Sequence, residues 1–464
     1  MGHQNLEQLL NAAGNTVELL RNAQAGPNVY PGVPPEYSNW RDEQIAWQQT
    51  CVLYNQSYHM AELMVEGPDA QKLLSHLATN SFSTFAPGKA KQFVPCSPDG
   101  YVIGDVILFG LADDKINLVG RAPALNWVTF HAETGDYNVD VTFDQRTALR
   151  ADGRRRHYRF QIQGPNAMQV LENALGHEPE ELKFFNMRME SIAGKDVMAL
   201  RHGMAGQPGW ELFGPWEDHD AVHEALVNAG EGLGLTLVGG RAYGSNALES
   251  GWIPSPLPAV YTGDSLKAYR EWLPTEGYEA RASVGGSFVS DDIEDYYFTP
   301  WDIGYGHLVK FDHDFVGREA LERIAEQEHR TKVTLVLDDD DVARTFASQM
   351  QPEGRTKYME WPNSVYSMHP YDKVTVNDEA IGVSTWVGYS AGEGKALSLA
   401  VVDEAHAEEG TEVVLVWGEE NGGTAKPTVE RHVQTEIRAT VSPVPYVSAV
   451  RTSYAPGGWR AARA

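Results

Sequence analysis

At 464 residues, 42% apolar and 10% aromatic, the chain has the make-up of a globular protein of about three domains or one large multi-lobed unit, which excludes small scaffolds and disordered, collagen-like or coiled-coil chains. Its 37 Lys+Arg against 64 Asp+Glu leave a formal charge of −27, of which 12 basic and 19 acidic residues beyond position 330 account for −7 and the first 330 residues for −20, so the acid is a spread surface and not a tail. Such a surface repels phosphate backbones and anionic headgroups, which excludes nucleic acid and membrane as first partners and requires a local basic pocket for any anionic ligand.

Leucines at 6, 9, 10, 19 and 20 have near-helical spacing broken by Gly14. The Pro- and aromatic-rich NVYPGVPPEYSNW (28–40) predicts an ordered loop or lid. CVLYNQSYHMAELMVEG (51–67) predicts a strand pair, and PDAQKLLSHLATN a helix opened by Pro68. Residues 97–120 predict hairpins around Asp99-Gly100 and Asp113-Asp114. RFQIQGPNAMQVLENALG (159–176) repeats strand, Gly-Pro and amphipathic helix; Gly67-Pro68 and Gly164-Pro165 stand 97 apart and suggest an internal duplication. Residues 196–215 predict strand, Gly-rich turn, strand; 218–234 a helix ended by glycine; 239–252 a second short helix. From 331, KVTLVL, KVTV, AIGVS, ALSLAVV and TEVVLVWG predict a small all-β domain. The runs RRR (154–156) and DDDD (338–341) are expected to be solvated loops.

Cys51 and Cys96 are too few for a disulfide framework and lack metal-site spacing, and are expected as buried free thiols. The opening MGHQNLEQLL has neither a basic nor an apolar targeting region, Leu6 spoils a myristoylation match, and no apolar stretch approaches the roughly 20 residues that span a bilayer, so a soluble cytoplasmic protein is expected. GxGxxG after a strand, GxxxxGK[ST], HExxH and CxxC are all missing, which leaves nucleotide and zinc chemistry without support; the loosely spaced HYR (157–159) and HLVKFDHD (307–314) do not make a metal site. What remains is a set of polar groups in unusual settings: Tyr30 and Tyr37 beside the proline loop, His59 between apolar neighbours, Arg121 straight after the strand INLVG, Glu211 inside the apolar GWELFG, and Tyr243 and Trp252 nine apart. Each alone also fits an ordinary core or snorkelling role.

VEGPDAQKLLSHLATN, RHGMAGQPGWELFGP, GGRAYGSNALESGW, FDHDFVGREALERI and AIGVSTWVGYSAGEGKALSLAVV, in this order over nearly the whole chain, resemble successive blocks of the folate-dependent aminomethyltransferase family typified by the glycine-cleavage T protein. NTVELLRNAQ, PEYSNWR, KAYREWLP, GGSFVSDDIEDYY and VLVWGEENGGT more closely resemble its tetrahydrofolate-dependent aryl O-demethylases of lignin-aromatic catabolism, of vanillate and syringate type. The resemblance implies an α+β, three-lobed cloverleaf-like fold with folate in a central channel, a folate-binding region over 1–330 as two α+β lobes and a C-terminal β-barrel over 331–464. It implies transfer of a methoxyarene methyl to N5 of tetrahydrofolate, with a methoxylated aromatic acid as substrate, no metal, and a monomer or homodimer.

An aryl methyl ether is inert because its leaving group is a phenolate, so catalysis must align nitrogen, methyl and oxygen and neutralise the departing oxygen. A tyrosine hydroxyl, pKa about 10, matches a phenol almost evenly as proton donor. By resemblance Tyr243 is that donor; Arg121 orients Tyr243 or holds the substrate carboxylate; His59 and Tyr30 bind ring substituents, with a catalytic share open to His59. For the cofactor, Glu211 matches the pterin-reading carboxylate, which accepts two adjacent N–H groups and gains thereby the partner that a buried charge needs. Gln56, Val119, Gln161 and Trp252 match further folate contacts. Gly104 before Asp105 departs from the paired acids of glycine cleavage and weakens aminomethyl transfer as the reading. Two alternatives stay open: a folate-dependent demethylase or aminomethyltransferase for another donor, and a folate-binding iron–sulfur assembly protein, whose Lys-Gly-Cys-Tyr block is missing from RHGMAGQPG. For the anionic ligands the −27 surface predicts a Michaelis constant that improves as ionic strength rises.

Overall fold

The computed structural model describes residues 4–24, 32–147, 154–254 and 256–452. The leucine spacing gives α1 (Leu6–Ala13) and α2 (Thr16–Arg21), capped by the Asn5 and Asn15 side chains and separated at Gly14, whose φ of 76° turns the chain. The proline-rich stretch has neither helix nor strand over 32–39, and α3 (Trp40–Gln49) follows it, capped by Asn39.

The chain then builds one plan twice. In the first lobe β2 (Ala61–Glu66), α4 (Ala70–Leu77), β3 (Ala90–Phe93), β4 (Val106–Ala112), β5 (Lys115–Gly120), α5 (Ala122–Thr134) and β6 (Asp140–Asp144) form a sheet of order β3-β4-β5-β2-β6. In the second, β7 (His157–Gln163), α6 (Ala167–Leu175), β8 (Met187–Ile192), β9 (Lys195–Leu200), β10 (Gly209–Pro215), α7 (His219–Ala229) and β11 (Leu235–Val238) repeat that succession. Their sheet order is β11-β1-β7-β10-β9-β8, the same but for the insertion of β1 (Cys51–Asn55) between β7 and β11. The suspected duplication is therefore structural. Gly67 and Gly164 start the helix in each copy with φ of 140° and 129°, and a Cβ would stand 2.4 Å from the Asn138 carbonyl oxygen at the first and 2.5 Å from that of Thr50 at the second, so only glycine fits.

The predicted strand pair at 51–67 is not a pair. β1 runs antiparallel to β7 and parallel to β11, whereas β2 is antiparallel to β5 and β6 in the other sheet. Alternation in the sequence marks the strands but not their partners, and the consequence is that residues 56–60 cross from one lobe to the other. Asp113-Asp114 makes the expected hairpin, while Asp99-Gly100 turns between a single bridged pair, Cys96 and Val102. Both cysteines are buried free thiols.

After the second lobe come α8 (Gly240–Tyr243) and α9 (Asn246–Ser250), two short helices where one is predicted, then α10 (Lys267–Trp272), β12 (Val284–Gly285) and α11 (Arg318–Ile324). The third lobe is a closed barrel of order β13-β17-β16-β15-β18-β19, from β13 (Arg330–Leu337), with β14 (His369–Pro370) pairing with β12, then β15 (Asp372–Val376), β16 (Glu379–Ser390), β17 (Lys395–Asp403), β18 (Glu412–Trp417) and β19 (Thr435–Ser442). No helix among the described residues is long and apolar enough to cross a membrane.

Neither charge run is simply a solvated loop. Asp338 caps α12 (Asp339–Ser348), so the aspartates form the helix's first turn, where anions suit the N-terminal dipole. Asp341 is buried and accepts from the Arg438 backbone N–H at 2.8 Å and from its Nε at 2.9 Å. In the basic run Arg155 is buried, its Nε 3.2 Å from Asp144 Oδ2 and its Nη1 2.7 Å from the Ser57 carbonyl. Hydrogen bonds from Arg438 hold the Asp341 carboxyl well below the usual carboxylate range, so its contribution is present above pH about 4 and fades as pH falls through the lowered value. Asp341→Asn is expected to cost about 1–3 kcal/mol in urea melts near neutral pH and progressively less below pH about 4; a deficit independent of pH would contradict the ion pair.

Candidate active site

Because β1 and β2 lie in different sheets, the segment Gln56 to Met60 runs along the seam between the lobes, and a cavity of about 830 Å³ opens beside it, a size that suits a cofactor and a small substrate together. Gln56, His59 and Tyr243 line it, together with Val119, Arg121 and Asp105 from the first lobe, Glu211 and His202 from the second, and Trp386 of the barrel. All three lobes thus contribute to one central site.

Tyr243 ends α8, and its hydroxyl lies 3.2 Å from Gln56 Nε2 and 3.1 Å from Met204 Sδ. Its ring packs edge-on against Tyr54, with centroids 5.7 Å apart, and His59, at 4.8 Å. Three buried groups hold this helix end. The Glu43 carboxylate accepts the Gly239 N–H at 2.9 Å and those of Tyr37 and Ser38 at 2.7 and 3.0 Å, joining the proline-rich loop to the start of α8. Asn246 donates to the Tyr243 carbonyl and accepts the Tyr54 hydroxyl, both at 2.9 Å. Glu249 accepts from Trp47 Nε1 at 2.7 Å, Gln48 Nε2 at 3.0 Å and Ser390 Oγ at 2.7 Å, which binds α9 to α3 and the barrel. Every lone pair so used is a rotamer removed, so the phenol is presented by a rigid frame.

Burial, reinforced by Arg121, Arg155 and Arg146, lowers the His59 pKa to about 3. At neutral pH its imidazole is uncharged and offers one donor and one acceptor nitrogen.

Glu211 lies on β10, opposite Gln161 of β7. The expectation that its carboxylate lacks a protein partner needs correcting: Arg159 Nη1 donates to Oε1 at 3.1 Å, and His202 Nδ1 stands 3.5 Å from Oε2. Burial favours the protonated form of Glu211, but His202 and Arg159 outweigh it and keep the pKa below the ordinary value. Arg159 is buried between the rings of Phe109 and Phe213, 4.6 and 4.5 Å from the guanidinium carbon, and its Nε donates to Glu62 Oε1 at 3.0 Å. Gln161 is fully buried behind the cavity, donating to the His202 carbonyl at 3.3 Å and accepting the Met204 N–H at 3.4 Å; it shapes the 202–204 turn and does not line the wall.

Arg121 caps α5, and its Nη1 lies 3.4 Å from the Tyr278 hydroxyl. Arg146 and Arg281 line the same cavity. Burial, with Arg121 as a further cause, lowers the Arg146 pKa, the mark of cations gathered in one place. Asp105 also lines the cavity, its Oδ2 accepting from Trp252 Nε1 at 2.9 Å, Gln92 Nε2 at 2.9 Å and the Tyr305 hydroxyl at 2.7 Å. Trp252 is fixed by that bond as a flat wall.

Of the residues proposed from sequence, the structure brings together Gln56, His59, Val119, Arg121, Glu211, Tyr243 and Trp252 around one cavity. Tyr30 lies outside the described residues. Sequence reasoning missed Arg146, Arg159, Arg281 and the orienting role of Glu43. The 97-residue repeat could have pointed to one of them, since Arg159 stands at the position of Glu62 in the second copy.

Comparison with known proteins agrees with this architecture. Residues 15–255 match the model of the GCVT N-terminal domain. A syringate O-demethylase of Sphingobium sp. (strain NBRC 103272 / SYK-6) is 62% identical over 459 residues, 99% of each chain. A sesamin methylene transferase of Sinomonas sp. (strain No.22) is 31% identical over 430 residues, covering 89% of this chain and 90% of its own. The crystal structure of the glycine cleavage system aminomethyltransferase T from Bartonella henselae superposes with a TM-score of 0.61 over 93% of this chain and 96% of that one, at 20% identity. The chain belongs to the GCVT, or aminomethyltransferase, family, in the branch that includes syringate O-demethylase.

Proposed function

We propose that the protein is a tetrahydrofolate-dependent O-demethylase that moves the methyl of a methoxylated aromatic acid, of vanillate or syringate type, to N5 of tetrahydrofolate, releasing a phenol and 5-methyltetrahydrofolate. The observation that carries this reading is one cavity holding a rigidly framed phenol, three arginines and a buried carboxylate, in a chain 62% identical to a syringate O-demethylase. The fit to a folate is supported by Glu211, whose Oε2 has among the described residues the polar partner His202 alone, at 3.5 Å, and by the buried Gln56 Oε1, which has no hydrogen-bond partner among them. These acceptors suit the N–H edge of a pterin, Val119 and Trp252 supply apolar and flat walls, and tetrahydrofolate, when bound, supplies the nucleophilic N5.

The residues divide the work accordingly. Tyr243 donates its hydroxyl proton to the ether oxygen as the carbon–oxygen bond breaks, so that phenol departs instead of phenolate, and the proton that N5 gives up on methylation restores the Tyr243 hydroxyl. Gln56 holds that hydroxyl in place. Neutral His59 serves a ring hydroxyl or methoxy group without adding charge. Arg121 and Arg146 hold the arene carboxylate, and the arginine-lined wall draws anions through a surface of charge −27. The chain then divides into a folate-binding region over 1–330 and a barrel over 331–464 that closes the cavity, and the enzyme works in the cytoplasm.

A second reading, transfer from a methylene or aminomethyl donor, is favoured by one observation: Asp105 does line the cavity, despite Gly104 before it, and an acid near N5 suits that chemistry.

Purified protein with tetrahydrofolate and vanillate or syringate is expected to yield 5-methyltetrahydrofolate and the demethylated phenol in equal amounts; methylated folate from no methoxybenzoate, with turnover of a methylenedioxyarene or aminomethyl carrier instead, would replace the first reading by the second. Tyr243→Phe should lower kcat by about 10²-fold or more and leave the tetrahydrofolate Kd within about threefold, whereas turnover near wild type would remove its role as donor. Arg146→Gln should raise the KM for the aromatic acid about tenfold, as expected for a lost charge-assisted bond, but not that for the corresponding uncharged aryl amide. An equal effect on both would assign Arg146 to the fold and not to the carboxylate.

A further inference from the structure

Glu62 and Arg159 are 97 residues apart and each stands five before the glycine that opens its helix, so they are the same position in the two copies of the lobe. They meet across the seam, Arg159 Nε donating to Glu62 Oε1 at 3.0 Å, and both are buried. The correspondence extends to their neighbours: Asn117, opposite Met64 in the first sheet, donates to Glu62 Oε2 at 2.9 Å, and Glu211, opposite Gln161 in the second, accepts from Arg159 at 3.1 Å. His157 Nδ1 is also 2.9 Å from Glu62 Oε2.

The duplicated site has thus become a chain, Asn117–Glu62–Arg159–Glu211, whose last carboxylate faces the cavity. A guanidinium offers five N–H donors in a rigid fork and pairs with a carboxylate through two of them when nothing restrains it. Here Glu62 takes Nε, the rings of Phe109 and Phe213 pack against the guanidinium, and one terminal nitrogen reaches one oxygen of Glu211. Among the described residues the other oxygen has His202 alone as a polar partner, at 3.5 Å.

We propose that Glu62 and Arg159 are positioning residues for Glu211, holding the guanidinium to a single bond so that one carboxylate oxygen stays available to the N–H edge of the pterin. The inference rests on the folate reading above and adds to it that folate affinity is set by a pair outside the cavity, at the seam of the lobes.

The test is a thermodynamic cycle on tetrahydrofolate Kd, measured by calorimetry, for wild type, Glu62→Gln, Glu211→Gln and the double variant. Glu62→Gln is expected to weaken binding about tenfold while leaving the KM for the methoxyarene unchanged, which a general loosening of the fold would not do. Glu62→Asp, which keeps the charge, should restore most of the affinity, and the double variant should bind no more weakly than Glu211→Gln alone. An unchanged Kd in Glu62→Gln, or losses that multiply in the double variant, would overturn the positioning role. If Glu62→Gln does not fold, Arg159→Lys carries the same test, since it keeps the charge and loses the fork. Should Glu211→Gln itself bind folate as tightly as wild type, the pterin assignment fails first, and that outcome is distinct from a failure of the positioning role.

Discussion

Arg159 is the group that the meeting of the two lobes must satisfy. A guanidinium taken wholly out of water costs several kcal/mol unless charge and hydrogen bonds compensate it, and its compensation comes from both sides of the seam: Glu62 of the first sheet, Glu211 of the second, and one aromatic ring from each. The bond from Arg159 Nε to Glu62 and the packing on Phe109 exist only where the two lobes meet. One side chain thereby ties the two sheets together beside the cavity.

The same seam explains why the candidate catalytic and cofactor-binding groups converge. A chain that leaves β1 in one sheet and enters β2 in the other must cross at residues 56–60, and the crossing carries Gln56 and His59 past Tyr243. The phenol is in turn fixed from outside the cavity, by Glu43 beneath the proline-rich loop and Glu249 against the barrel. Both carboxylates are buried and spend their oxygens on donors from separate elements. Removing either would release several donors at once, so the precision of the site and the stability of the three-lobed assembly are one property.

Much of this was legible in the sequence, and the pattern of what was not is instructive. Period-two alternation and turn residues located most strands, and the paired Gly-Pro steps revealed the duplication, because these are local consequences of backbone geometry. Partners were not legible: β1 and β2 read as a hairpin since they are adjacent and alternate, yet the hydrogen bonds of β1 go to strands about 100 and more residues away and those of β2 to strands about 50 to 80 residues away. Charges failed in the same way. Asp341 and Arg155 stand in runs that look solvated, and their partners outside those runs, Arg438 for Asp341 and Asp144 with the Ser57 carbonyl for Arg155, account for their burial. For the site, residue types in motif blocks pointed to Tyr243, Arg121, His59 and Glu211, whereas Arg159 opens a segment read only for its strand and Gly-Pro plan, Arg146 lies in a stretch without a motif, and both matter through what they face.

The duplication gives the ion-pair chain a further meaning. Two identical halves related by a pseudo-twofold would place the same residue against itself at position 62/159, and two glutamates or two arginines facing each other in the interior would repel strongly. Opposite charges there remove the repulsion and break the symmetry of everything attached. The Asn117 end closes on a neutral amide, and the Glu211 end keeps a carboxylate toward the cavity. At this pair of equivalent positions a fold made of two like lobes thereby turns one carboxylate, Glu211, toward the central cavity where two identical halves would turn two.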